Sequence, residues 1–446
     1  MIDISKEALT ILMLGGFFVG VFSGFPLALV IGTVGLVAGI LRFGPETTIE
    51  LLYTRSVEGA LLNYILIAVP LFIFMGLMLE RSGIAERLFD ALYVWLGGLR
   101  GGLAIIVVLM GTIIAATVGV IAASVTMLAI VSLRPMIQRG YNKSLASGAV
   151  CAGGSLGILI PPSIMLVIYG PMANISVGKL FMGAFIPGFV LSGLYITYIA
   201  IRCFFQPHMA PAVPIEERTV PFAKKTALLA TSLFPPAILV LSVLGSIFFG
   251  IAPPSEAAAV GAFVATLLTI AYRRFSFKVL KETATQTLMV TSMILLIGGL
   301  SFVFVGVFIP AGGAKVVKEL ILAAPGGRWG ALAVVMFIMF LLGFFIDWIG
   351  IIFIMIPILS PIAPELGFDP VWFALMICVN LQMSFMTPPF APAIFYLRGA
   401  APKELGVTMG DIIRGVFPFV GLIIIGLGLC VAFPQLILWL PAQMIK

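Results

Sequence analysis

Apolar runs long enough to cross a lipid bilayer recur from one end of this chain to the other. A spanning helix needs about 20 mostly apolar residues. Runs of that kind cover Leu9–Val30, Ala104–Leu133, Leu180–Ile201, Thr226–Phe249, Ala257–Tyr272, Thr287–Pro310, Ala331–Asp347 and Val416–Leu440. They are continuous, whereas the strands of a membrane barrel alternate polar and apolar residues over segments of about ten. Of the 446 residues, 61% are apolar and 10% charged. A soluble domain has about 45–50% and about 25%, so the solvent here is lipid. The expected fold is an all-α, polytopic integral membrane protein with roughly ten to fourteen membrane segments, some short or broken.

The formal charge of +7 does not point to nucleic acid. Lys and Arg lie in short loops between apolar runs, the pattern that sets membrane orientation. Cys151, Cys203, Cys378 and Cys430 lie within or beside apolar runs with no metal-ligand spacing, and read as small packing residues. The start carries Asp3, Lys6 and Glu7 without a basic n-region or a small-residue cleavage site. The first apolar run is therefore expected to be a retained helix.

The one long hydrophilic stretch, Arg202–Lys225, divides two halves that echo each other. An offset of 227 residues carries Gly140 to Gly367, Cys151 to Cys378 and Pro161-Pro162 to Pro388-Pro389. Gly76 and Gly83 match Gly306 and Gly313 at an offset of 230, Gly170 matches Gly399 at 229, and Pro187 matches Pro418 at 231. Backbone punctuators are conserved in order between the halves while the rest of the sequence differs, which implies an internal repeat. The expected units are residues 1–55 (N-terminal membrane helices), 56–204 (first repeat), 205–225 (central cytoplasmic loop), 226–285 (a connecting helix pair with its turn at Ala252–Glu256) and 286–446 (second repeat). Charge says the repeat is inverted. The loop before the first Pro-Pro pair carries Arg134, Arg139 and Lys143 and no acid, while its counterpart carries Glu365 and Asp369 and no base. Short cytoplasmic loops collect Lys and Arg, so equivalent loops face opposite sides, as in inverted-repeat transporters.

Two segments break the apolar pattern from within. The first holds Gly153, Gly154, Ser155, Gly157, Pro161, Pro162 and Ser163; the second holds Asn380, Gln382, Ser384, Thr387, Pro388 and Pro389. In a helix interior Gly costs about 1 kcal/mol and Pro about 3 kcal/mol relative to Ala, so each helix breaks. The freed backbone groups cannot face lipid and must face protein or a wet cavity. Paired broken helices point to the binding site of a transporter. Carbonyl and hydroxyl oxygens suit Na⁺, and half-helix N-termini suit an anion. Asp347 is the other outlier, because a carboxylate in an apolar stretch marks an ion or proton path unless it is an interfacial residue at a helix end. Its offset equivalent is Val120, near Thr117, Ser124 and Thr126, whose hydroxyls are either cation ligands or packing groups. The run Asn63–Arg87, interrupted by Pro70, and its counterpart around Gly298-Gly299 and Ser301 are each either a re-entrant hairpin or a kinked spanning helix.

The segments GGSLGILIPPS, FGIAPPSEAAAVGAF and NLQMSFMTPPFAPAIFYLRG resemble the large membrane subunit of TRAP transporters, the tripartite ATP-independent periplasmic family, over essentially the whole chain. The resemblance implies an elevator-type carrier related to the ion transporter superfamily, in the bacterial inner membrane. It implies two partner proteins, a small membrane subunit and a periplasmic substrate-binding protein. The cargo would be a small organic acid or similar solute, driven by Na⁺ and with no other cofactor. Carried over by position, Ser155 and Gly157 with Pro161-Pro162 would form one ion-binding break. Asn380, Ser384 and Thr387 with Pro388-Pro389 would form the second, and Asp347 would assist a sodium or the substrate. The stretch Ala115–Ser124 departs from the Ser-rich run expected there. An intramembrane enzyme would need a convergent set of nucleophile, base or metal ligands, and the single His, His208, sits alone in the polar loop.

Overall fold

The computed structural model describes residues 4–214 and 220–444, with residues 116–118 described by their backbone alone, so the side chain of Thr117 lies outside the described residues. Among them every regular element is helical. In chain order the first half contains α1 (Lys6–Phe22), α2 (Leu27–Phe43), α3 (Pro45–Ser56), α4 (Ala68–Glu80), α5 (Ile84–Leu96), α6 (Gly102–Val118), α7 (Ile121–Leu128), α8 (Arg134–Gln138), α9 (Lys143–Ser155), α10 (Ile164–Ala173) and α11 (Val177–Phe205). A connecting pair follows: α12 (Phe222–Val240), carried on by a π turn and α13 (Ser246–Phe248), and then α14 (Pro254–Ala271). The second half contains α15 (Phe277–Phe308), α16 (Gly313–Leu322), α17 (Gly327–Leu342), α18 (Trp348–Leu359), α19 (Ile362–Glu365), α20 (Pro370–Met386), α21 (Pro392–Ala400), α22 (Met409–Ala432) and α23 (Gln435–Ala442).

Six helices are long and apolar enough to cross a membrane, or seven if the pair Pro45–Leu61 and Tyr64–Glu80, bent by 53°, counts as one. Several apolar runs therefore resolve into shorter pieces. Leu9–Val30 is two helices with a turn before Pro26, Ala104–Leu133 is interrupted at Gly119, Ala331–Asp347 ends its helix at Leu342, and Val416–Leu440 is cut at Phe433-Pro434. Mean hydropathy does not register a turn made of glycine or aromatic residues. Asn63–Arg87 and its counterpart take different forms. The first is the second limb of the bent pair, with the bend at Leu62-Asn63 and Pro70 in the opening turn of α4. Its counterpart lies inside the unbroken 32-residue α15.

Two helical hairpins are held by contacts at their ends. The Gly101 N–H donates to the Ala210 carbonyl at 3.0 Å and the Asn142 N–H to the Met209 carbonyl at 2.8 Å. The Leu103 N–H donates to the Tyr141 hydroxyl at 3.2 Å. Both ends of the stretch from α6 to α8 are thus pinned to neighbouring residues of the central polar loop. The chain enters on α6, turns at Gly119 with φ +66°, and returns on α7 and α8 to the side it left. In the second half the Trp329 ring lies 5.3 Å from Phe368 and 6.5 Å from Trp372. The start of α17 therefore meets the start of α20, and α17 and α18 form a second hairpin turning at Gly343–Asp347.

Helix capping repeats with the halves. Asn142 and Asp369, 227 residues apart, each accept hydrogen bonds from the backbone N–H groups two and three residues on, and so start α9 and α20. Ser176 and Thr408 each cap through the third residue of α11 and α22, helices that contain Pro187 and Pro418. Left-handed glycines precede α5 and α16 (Gly83, Gly312) and α6 and α17 (Gly101, Gly326). Side-chain oxygens satisfy the orphan N–H groups of a first turn, and glycine accepts φ > 0 without strain. These residues persist because each fixes where an element starts.

The halves also interlock. The after-break helix α10 packs on α18 of the other half, and α21 packs on α7. Cys151 on α9 donates to the Ala393 carbonyl on α21 at 3.6 Å, while Cys378 on α20 lies close to Tyr169 on α10. All four cysteines are free and buried, as expected of packing residues. Around this unit stands a frame in which α14 packs on α4, α15 on α2 and α4, and α12 on α5. Every residue from Leu145 to Gly170 and from Val371 to Met386 is buried, which accounts for helices that are apolar on all sides.

Candidate functional site

The first break follows α9. After Ser155 the chain tightens into a 3₁₀ turn, Leu156–Ile158, passes through Pro161-Pro162 and restarts at Ser163 as α10. The Ser163 hydroxyl turns back onto the Ile158 carbonyl, closing the loop on itself. The first hairpin seats against this loop. A Cβ on Gly119 would come within 3.1 Å of the Pro162 carbonyl oxygen, and one on Gly157 within 2.7 Å of the Ser124 hydroxyl. Ser124 is fully buried and its hydroxyl has no hydrogen-bond partner. It therefore presents unused lone pairs to the break, which is what a cation ligand must do.

Gly153 and Gly154 serve a different purpose. A Cβ on Gly153 would lie 3.0 Å from the Val107 carbonyl oxygen, and one on Gly154 2.9 Å from the Val125 Cα. Their missing side chains let both arms of the hairpin reach the α9 backbone, the way small residues bring membrane helices together. Ser155 is buried, donates to the Ala152 carbonyl at 2.9 Å and lies 3.8 Å from the Met386 sulfur. Met386 ends the helix before the second break, so the two breaks meet in the interior. Thr126 does not join them; it lies on the far side of α7 and lines a separate cavity.

The second break differs in environment. Thr387 and Pro388 are half-buried and Pro389 is exposed, whereas residues 156–163 are all buried. Asn380 donates to the Met336 carbonyl at 2.8 Å and Ser384 to the Phe340 carbonyl at 3.1 Å. Both donors are committed to α17, which leaves the Asn380 Oδ1 and the Ser384 lone pairs. Thr387 donates to the Met383 carbonyl at 2.8 Å. Gln382 is fully buried, and neither its amide nitrogen nor its oxygen has a partner. It stands at the 227-residue offset from Ser155.

Asp347 is the N-cap residue of α18, with φ −64° and ψ 149°, and its side chain makes no cap hydrogen bond. Val120, its offset equivalent, is the N-cap residue of α7. The two therefore occupy matching hairpin tips, one charged and one aliphatic. Asp347 is half-buried and close enough to Tyr396 on α21 to interact electrostatically. Tyr396 is 41% exposed. Gly119, Met386 and Tyr396 join the site without a sequence motif of their own. Tyr169 and Tyr396 share the 227-residue offset, which is the one trace of Tyr396 in the sequence.

The profile of the family described as "Tripartite ATP-independent periplasmic transporter, DctM component" matches residues 14–436. The chain belongs to that family. It is 32% identical to the C4-dicarboxylate TRAP transporter large permease protein DctM of Pseudomonas aeruginosa, over 90% of this chain and 91% of the relative. It is 28% identical to the sialic acid TRAP transporter large permease protein SiaM of Vibrio cholerae, over 87% and 88%. With the ectoine TRAP transporter large permease protein TeaC of Halomonas elongata it shares 27% identity, over 94% and 95%. Its fold is similar to that of the Alcanivorax borkumensis YdaH transporter, with a TM-score of 0.62 at 16% identity, covering 96% of this chain and 99% of the other. The chain is thus a transporter component of the inner membrane and not an enzyme, and it is one of three parts.

Proposed function

We propose that the chain is the translocating subunit of a sodium-coupled carrier that imports a small organic acid or similar solute handed over by a periplasmic binding protein. The observation that carries this reading is the meeting of two helix breaks in the interior, with the unpartnered Ser124 hydroxyl at one and the unpartnered Gln382 amide beside the other. Unpaired buried polar groups cost about 1–3 kcal/mol each, so a bound ligand is the economical reason to keep them. Ser155, Gly157 and Ser124 would hold one Na⁺ by hydroxyl and carbonyl oxygens. Asn380, Ser384 and Thr387, with Asp347 nearby, would supply oxygens for a second. The N-terminus of α10 favours an anion. Relatives named for C4-dicarboxylates, sialic acid and ectoine support a small carboxylate-bearing cargo. The interlocked unit of hairpins and breaks, set against the frame of α2, α4, α14 and α15, has the division into moving and fixed parts that an elevator mechanism needs.

Reconstitution tests this. The large and small subunits in proteoliposomes, supplied with the binding protein, should show saturable uptake that an inward Na⁺ gradient drives and that stops when choline replaces Na⁺. Flux that is non-saturable and independent of the gradient would make the chain a channel component instead.

A further inference from the structure

A cavity of about 330 Å³ lies behind the first hairpin, on the face of α7 turned away from the break. Val120, Ala122, Ala123 and Thr126 form one wall; Ser124, on the opposite face of the same short helix, looks into the break. The other walls come from α4 and α15, and the polar groups there are Glu80 and Gln286. The rest of the lining is aliphatic, and among the described residues no cationic side chain contributes to it. The cations nearby are already matched. Arg81 is ion-paired with Glu282 and donates to the Gln286 Oε1 at 3.0 Å. Arg274 lies 3.8 Å from Glu86, and Arg87 sits over the Tyr272 ring at 4.4 Å. Glu80 has neither a hydrogen bond nor a salt bridge among the described residues; the charge that acts on it is that of Arg81, which is shared with Glu282, so two carboxylates stand against one guanidinium at this end of the cavity. Next to the lining residues Gln286 and Val290, the buried hydroxyls of Thr287 and Thr291 are also without partners. The basic cluster Arg273, Arg274, Lys278 and Lys281 at the start of α15 puts this end of the cavity on the cytoplasmic side.

We propose that this cavity is a cation-selective antechamber on the cytoplasmic side of the first break, in which the Glu80 carboxylate holds a small monovalent cation. Only the one-helix thickness of α7 separates it from the Ser124 hydroxyl, so a cation leaving the break enters it next. The assignment of the cation as the coupling ion rests on the sodium-coupled reading above; the charge selectivity of the cavity does not.

Thiol labelling reads that selectivity directly, since the four native cysteines are buried and stay silent. Thr126→Cys in the purified large-plus-small subunit complex is labelled with a trimethylammonium-bearing and a sulfonate-bearing methanethiosulfonate of similar size. A unit charge across a cavity this small, at an effective dielectric constant of about 20, favours the cation by about tenfold or more. The ratio of cationic to anionic rates should exceed that of the Glu80→Gln background by about that factor. Ala123→Cys gives the same readout should Thr126→Cys fail to fold. Equal ratios with and without Glu80, or no labelling by either reagent, would overturn the proposal. The assay needs neither substrate nor transport, so a retained ratio in a complex that shows no Na⁺-driven uptake would remove the coupling assignment alone.

Discussion

Replacing Gln382 by Met should make the protein more stable and less active at once. The amide is fully buried with both heavy atoms unpaired. A buried polar group without a hydrogen bond costs about 1–3 kcal/mol by mutational measure, and Met fills a similar volume with no polar group to satisfy. The expected gain in the ligand-free protein is therefore about 1–3 kcal/mol, read as an upward shift of the unfolding midpoint in a graded SDS titration of the detergent-purified complex. The neighbouring Asn380→Leu should move the other way. That side chain has its partner, the Met336 carbonyl at 2.8 Å, and hydrogen bonds between membrane helices average about 0.6 kcal/mol with a maximum near 1.7. Opposite signs from residues two apart on one helix are hard to obtain from a general packing effect. Uptake should be lost in Gln382→Met despite the added stability. A destabilised Gln382→Met, or one that transports at the wild-type rate, would refute the view that this amide is kept unpaired for a ligand.

Asp347→Asn should cut Na⁺-driven uptake by about tenfold or more without loss of expression, because an intramembrane carboxylate marks an ion path; wild-type uptake rates would leave it only a structural role. Gly111→Val should destabilise the complex by about 1–3 kcal/mol, since a Cβ there would lie 2.6 Å from the Gly153 carbonyl carbon and force α6 away from α9. Gly193→Val, where nothing lies within 4 Å, is the matched control and should leave the melting temperature unchanged.

The repeat was legible because its markers act locally. Asn142 and Asp369 cap helices by bonding their own neighbours, so the same residue class recurs at the same offset whatever packs around it. Pro161-Pro162 and Pro388-Pro389 interrupt their helices for reasons contained within a few residues. Local rules mislead where tertiary context decides. Pro235-Pro236 lies inside α12 without ending it. The tip at Gly119 looked like one more glycine in an apolar run, and only the tethers of Gly101 and Asn142 to Ala210 and Met209 reveal that the chain doubles back. The burial of the first break and the exposure of Pro389 in the second could not be read from two similar strings. They depend on which surfaces other helices cover. Glu80 and Gln286 lie in helices far apart in sequence, and no motif links them.

The crossed packing bears on how the protein is made. When the first half leaves the ribosome, α10 can pack on α4 and α11 but still lacks α18, and the last helices made supply α21, which closes over α7. Each half thus leaves a face of its interior for the other to cover, so synthesis yields two incomplete objects that finish each other. The same mutual dependence means that a lesion in one break is felt in the housing of the other, and the two cannot drift apart in shape independently.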